Sequence, residues 1–244
     1  MDTYSPPHMR LGIMQPYFFP YLGYFALIEH VDKWIVFDIT QYTKKTWINR
    51  NRILNLNKDW SYITAPVKKM NRSAKINEVE INNLESLKKS MLNSLKHYEG
   101  KAPFYDNVLK IIETVFSGVK SNFLVEINNI ALITICNYLS INYDYIILSR
   151  ATIQIPEVTY PGGWALEISK LMEADEYLNP INGKDLFLKD EFEKENIKLS
   201  FLDRHSFYYK TVPYKFISDL SIIDVLMWND PEKVKLELNN FKIV

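Results

Sequence analysis

Residues 10–38 read RLGIMQPYFFPYLGYFALIEHVDKWIVFD, and the reading of this stretch decides the fold. Arg10 to Met14 is a short apolar run of strand length, and KWIVFDI, with its aromatic and β-branched content and Asp38 near its end, is a second buried strand. Between them YFALIEHV places Phe25 and Ile28, with Leu27 and Val31 less regularly, on one helical side. The order is strand, turn, helix, strand. The turn is unusual because Met14 to Phe25 packs two prolines, one glycine, three tyrosines and three phenylalanines between the first strand and the first helix. Pro16 and Pro20 stiffen the backbone and Gly23 permits a close approach, so Tyr17, Tyr21 and Tyr24 can present flat faces with a hydroxyl at the rim. Such a surface suits a sugar or a nucleotide; the alternative is a hydrophobic plug packing the helix onto the sheet.

Outward from this stretch the pattern repeats. A polar loop, TQYTKKTWINRNRI, precedes a third strand, WSYITAPV, halted by Pro66, and INEVEIN alternates as a half-buried strand would. Residues 84–98, 103–116 and 122–139 carry apolar residues near a period of 3.6 and read as helices. YDYIILS is another buried strand, GGWALEISKLMEA a helix, and DEYLNP and IKLSFLD two short strands around a charged helix at 186–195. LSIIDVLMWND and PEKVKLEL close the chain as helices. Strands alternating with helices predict an α/β fold, a mainly parallel sheet with helices on both faces, in a single domain over 1–244 with 84–139 as a helical insert. Such sheets bind ligands at the carboxyl ends of their strands, which directs attention to Gln15, Asp38, Gln41, Lys68, Ser149, Arg150, Asn179, Asp203 and His205.

Lys plus Arg and Asp plus Glu both number 29 in 244 residues, so no overall field gathers a polyanion, and nucleic acid is not expected as a partner. No run of about 18 apolar residues predicts a membrane span, and residues 1–10 lack the apolar centre of a signal peptide, which makes a cytoplasmic location the expectation. Cys136, the lone cysteine, lies on an apolar helical pattern and reads as a buried small hydrophobe. None of the four histidines pairs with another or with the cysteine at metal-ligand spacing, so no metal site is expected.

Among polar clusters WINRN stands out. Arg50 offers a planar fork for phosphate or carboxylate, and Asn49 and Asn51 supply donors and acceptors for hydroxyls, unless the loop is simply a solvated basic surface. His205, after IKLSFLD, and His97, at a helix end, are candidate bases by their ordinary pKa, though His97 also suits a helix C-terminus. Asp38 can act as a base, orient a histidine, or cap the turn after its strand. Ser149 and Arg150 occupy a strand end, and Asn182 lies in the tight turn YLNPING. No G-x-S-x-G elbow, dinucleotide fingerprint or Walker loop occurs.

MQPYFFPYLGYFALI, WINRN, APFY (102–105), YLNPINGKDLF (177–187) and DLSIIDVL (219–226) together resemble the WbqC-like family of bacteria, over nearly the whole chain. The resemblance implies an enzyme of surface-polysaccharide or O-antigen biosynthesis that acylates an amine on a sugar, with glycine among the groups transferred. The substrate would be an amino sugar or nucleotide sugar. Such a transfer needs an activated acyl donor, whether on an acyl carrier protein, on CoA or as an adenylate, and this choice stays open. YLGY is also similar to the HxGH corner of nucleotidylyltransferases and pantothenate synthetase, with Tyr21 and Tyr24 where the histidines would be. That likeness implies a HUP-type fold and an adenylate-forming or nucleotidylyl-type alternative, but tyrosine carries no positive charge at neutral pH to stabilise adenylyl transfer. A nucleotide-sugar-binding protein without catalysis is the third reading.

Overall fold

The structure, a computed structural model, describes residues 8–244. Strand β1 (Arg10–Met14) runs into helix α1 (Leu22–Glu29) and returns as β2 (Lys33–Val36), in parallel register with Gly12 opposite Trp34. The rest of the sheet comes from β5 (Tyr145–Ile147), β6 (Glu176–Pro180) and β7 (Lys198–Leu202), every neighbouring pair parallel, in the order β5-β2-β1-β6-β7. Counting sheet strands alone, that order is 3-2-1-4-5. The chain builds outward from β1 to one edge and then crosses back to lay β6 on the other side of β1, so strand order reverses between β1 and β6.

Strand period sorts the two faces. Leu11, Ile13 and Ile35 point to a layer holding α5 (Gly163–Leu171) and α6 (Lys189–Lys194), where they pack with Ala165, Leu166, Ile168, Tyr177 and Phe192. Trp34, Val36 and Leu178 point the other way, into a larger core shared with α1 and the helices α2 (Leu84–Leu95), α3 (Tyr105–Gly118), α4 (Leu124–Tyr138), α7 (Ile222–Trp228) and α8 (Pro231–Leu238). Gly12 has to be glycine on this face: a Cβ there would lie 2.8 Å from the Trp34 ring. Helix α1 is buried from Leu22 to Ile28, which is why its sequence is apolar all round rather than striped.

Two expectations change. WSYIT is a strand, but it joins no sheet strand: β4 (Trp60–Thr64) pairs antiparallel with β3 (Arg50–Leu54), whose residues read as polar loop, and the hairpin stands apart from the sheet. INEVEIN forms a single 3-10 turn, Ile76–Glu78, because Glu78 folds back to accept the backbone N–H of Lys75 at 2.8 Å; the segment pairs only through isolated bridges such as Val67 to Ile81. The hairpin is anchored by Asp224 of α7, which is buried and accepts the Leu54 N–H at 2.7 Å and the Tyr98 hydroxyl; burial pushes its carboxyl up to about 6.

At the amino ends of the strands, away from the crossover, Glu176 is 1% exposed yet accepts Arg10 Nε at 2.8 Å and pairs with His8 and Lys198 at 3.1 and 3.2 Å. Burial pushes its pKa up, but hydrogen bonds from Ser200, His8, Arg10 and Lys198 outweigh it and hold the carboxyl at about 2. The pKa is depressed on folding, so the stabilisation is complete above the unfolded carboxylate's 4.5 and is lost as pH falls through about 2. Glu176→Gln is therefore expected to lower the unfolding free energy by about 2 kcal/mol at pH 7. Urea titrations at pH 7 and at successively lower pH check this; a deficit that does not shrink on acidification contradicts it.

Candidate functional site

A cleft of about 1170 Å³ opens over the carboxyl ends of the strands at the β1/β6 reversal. Ile13, Met14 and Gln15 bring the end of β1, Phe37 the end of β2, Asn179 and Pro180 the end of β6, and Leu202, Asp203 and Arg204 the end of β7. Trp47 and Arg52 of the hairpin region, Trp164 of α5 and the segment 205–209 form the walls. Trp164 packs against Phe37 with ring centroids 5.7 Å apart.

The aromatic corner forms one side, and its backbone explains the neighbouring asparagines. Phe19 sits at φ 43, in the left-handed region that costs a non-glycine residue about 1–2 kcal/mol, and tertiary contacts hold it there. Asn128 Nδ2 donates to Pro16 O and Ile48 O, both at 2.8 Å; Asn51 Nδ2 donates to Phe18 O and Phe19 O at 3.3 and 2.8 Å; Ser221 Oγ donates to Phe19 O at 2.7 Å. Tyr24, fully buried, donates its hydroxyl to Gln15 O at 2.9 Å. Buried side chains thus bind the carbonyls of Gln15, Pro16, Phe18 and Phe19, and among the described residues the Tyr17 and Tyr21 hydroxyls are left without a hydrogen-bond partner. Gly23 allows the Tyr21 ring to fold over the start of α1, where a Cβ would come within 2.5 Å of it.

Burial pushes the Tyr21 hydroxyl up to about 12; the charges of Tyr17 and Asp219 add to this and Arg204 opposes it. Tyr17 is raised by burial as well. Both are neutral donors at physiological pH. His205, at the cleft wall, has Nε2 2.7 Å from Glu237 Oε2, with its ring against Phe241.

Of the residues singled out in the sequence, Gln15, Tyr17, Tyr21, Asn51, Asn179, Asn182, Asp203 and His205 line this cleft. The others lie elsewhere, each with a local task. Tyr24 is the buried donor just described. Asn49 Nδ2 bonds Ala65 O at 3.1 Å, and Arg50 lies 3.9 Å over the Tyr62 ring on the strand face it shares with Arg52. Gln41 holds Arg72 O at 2.6 Å. Asp38 is buried and ties the ends of β2 and β5 by accepting Ser149 N and Oγ at 2.9 and 2.5 Å; burial raises its pKa while those bonds and Arg150 lower it. Arg150 pairs with Glu126 at 2.7 Å. His97 bonds Tyr214 at 2.7 Å and stacks near Tyr98, away from the cleft, and burial holds its pKa below the ordinary value.

The cleft also holds residues that the sequence reading passed over. Arg204 follows β7 and donates Nε and Nη2 to Asn182 Oδ1 at 3.0 and 2.7 Å. Arg52 lies 5.4 and 5.3 Å from the rings of Trp47 and Trp60 and donates Nη2 to Asp219 O at 3.3 Å. Arg10 and Arg150 have carboxylate partners; Arg52 and Arg204 have none among the described residues. Among the described residues no helix is long and apolar enough to cross a membrane.

The sequence model of the WbqC-like protein family matches residues 15–236. The chain is 26% identical over 225 residues to "Uncharacterized protein Rv1507c" of Mycobacterium tuberculosis, covering 89% of this chain and 92% of that one. No solved structure matches.

Proposed function

The chain belongs to the WbqC-like protein family, and on that footing we propose that it is a transferase moving an acyl or aminoacyl group, glycyl among them, onto the amine of a nucleotide-linked amino sugar. The observation that carries this reading is a base candidate, His205 paired with Glu237, on the wall of a cleft at the strand-order reversal. With its Nε2 proton donated to Glu237, the imidazole leaves Nδ1 bare to accept a proton. The amine nitrogen attacks the acyl carbon, a C–N bond forms, His205 takes the amine proton, and the donor's leaving group departs with the electron pair of the broken bond. Tyr17 and Tyr21, held neutral, can donate to the carbonyl oxygen as it becomes negative. Nucleotide sugars are cytoplasmic metabolites, so the reading carries that compartment with it, and surface polysaccharide is the destination of the product.

The test is incubation with a panel of nucleotide-linked amino sugars and activated acyl donors, followed by product mass. A gain equal to the acyl group is expected. Release of pyrophosphate from ATP during the same reaction identifies the adenylate-forming version, and ligand-induced thermal stabilisation without turnover identifies a binding protein and overturns the transferase.

A further inference from the structure

We propose that Arg52 and Arg204 form the anion subsite of the cleft and hold the phosphate groups of a nucleoside-diphosphate-linked substrate beside Tyr21. The inference rests on the cleft being the substrate site. Its own support is the state of the two guanidinium groups. Arg52 is inserted between Trp47 and Trp60, its Nε is buried without a partner, and its single bond is a long one to a backbone carbonyl. A guanidinium with a buried Nε commonly has a carboxylate beside it, since a buried donor left unpaired is costly. Two aspartates line the same cleft, yet neither neutralises these arginines. Asp219 gives Arg52 its carbonyl rather than its carboxylate, and Asp203 Oδ1 accepts the backbone N–H of Arg204 at 2.7 Å.

Arg204 enters the same cleft from the end of β7. Two of its donors converge on the single Asn182 oxygen, which fixes the plane of the guanidinium and leaves its remaining N–H groups uncommitted. Tyr21 lines the cleft with both arginines, and Ser221, bridged to Tyr21, donates its backbone N–H to Arg52 O at 2.9 Å, which sets Arg52 beside the Tyr21 corner. Planar forks of this kind match phosphate oxygens bidentately. Two exposed aromatic rings line the same cleft, Trp47 beside Arg52 at 39% exposed and Tyr208 at 75%. An exposed ring on the wall of a phosphate site offers a stacking surface for a base. The cleft's volume of about 1170 Å³ exceeds what a bare phosphate needs and suits a nucleotide carrying a sugar.

The experiment is calorimetric titration of the full chain with ADP, UDP, inorganic pyrophosphate and the bare nucleosides, on wild type, Arg204→Gln, Arg52→Gln and Arg52→Lys. Melting curves establish that each variant is folded; Arg52→Lys keeps the charge and the stem should Arg52→Gln fail. At least one nucleoside diphosphate is expected to bind wild type, with Kd raised about 10-fold or more in each arginine variant, the loss of one charged hydrogen bond or more. Pyrophosphate is expected to bind more weakly with the same dependence on both arginines. Absence of binding by all three anions, binding unchanged in either arginine variant, or a nucleoside binding as tightly as its diphosphate overturns the subsite. If nucleotide binding depends on both arginines but no acyl product forms, the subsite stands and the transferase falls. If product forms with an unchanged KM in the arginine variants, the reverse holds.

Discussion

His205→Gln lowers the turnover of the proposed acyl transfer by about 10²- to 10⁴-fold, the usual contribution of a positioned general base, while the KM for the sugar substrate changes far less. Glutamine keeps a polar side chain of similar reach against Phe241 but has no nitrogen that can take up a proton at neutral pH. The protein therefore still folds and still binds. Glu237 does not touch the substrate in this scheme; it fixes the imidazole tautomer through Nε2, so Glu237→Gln, whose amide can turn its N–H towards Nε2 and favour the other tautomer, is expected to lower turnover as well, by no more than His205→Gln does. Steady-state kinetics on both variants with the active pair from the substrate panel decide the matter. A His205→Gln enzyme turning over within about threefold of wild type, below the smallest effect expected of a base, removes the histidine from the chemistry and with it the proposed proton path.

The fold was legible because residues 10–37 alternate element types with clear periods, and each of the later sheet strands is a short apolar run ended by polar residues. What could not be read was partnership. WSYIT and YDYIILS look alike as apolar runs, yet the first closes a hairpin with β3 while the second joins the parallel sheet. Only tertiary packing against α7 separates them. The same blind spot governed the site. WINRN and the Arg52 that follows it read as a loop, and in a loop Arg50, Asn49 and Asn51 are interchangeable candidates. As a strand the segment has period two, so Arg50 and Arg52 share one face while Asn49 and Asn51 turn inward to bond backbone. Gln15 and His205 lie on the cleft because it opens over the ends of the parallel strands; Arg204 occupies the position directly before His205 and follows from the same rule. The base candidates Asp38 and His97 lie elsewhere for a reason no short motif encodes: each is used up by a partner distant in sequence, Ser149 and Tyr214.

Asn128→Leu is expected to destabilise the protein by about 2–5 kcal/mol, because two buried carbonyls, Pro16 O and Ile48 O, lose their donor at once and each orphaned group costs about 1–3 kcal/mol. For a chain of this size that corresponds to a fall in Tm of roughly 5–15 °C. Both partners are carbonyls, so the amide nitrogen has to face them, and Asn128→Asp, which offers only acceptors there and buries a charge among the apolar residues of α4, is expected to be at least as damaging. The same amide spans the aromatic corner and the segment leading into the hairpin, since Ile48 immediately precedes the Asn49 to Arg52 run and Trp47 O accepts the Phe18 N–H at 2.8 Å. Releasing it loosens Tyr17 and Tyr21 on one side and Trp47 and Arg52 on the other. Nucleotide affinity should therefore fall even at temperatures where the variant is fully folded, which thermal melts and titration on the same sample distinguish from simple unfolding. An Asn128→Leu protein as stable as wild type contradicts the assigned role of the buried amides; one that is less stable but binds unchanged would mean that the corner is held for the core alone and that the cleft wall is set by other contacts.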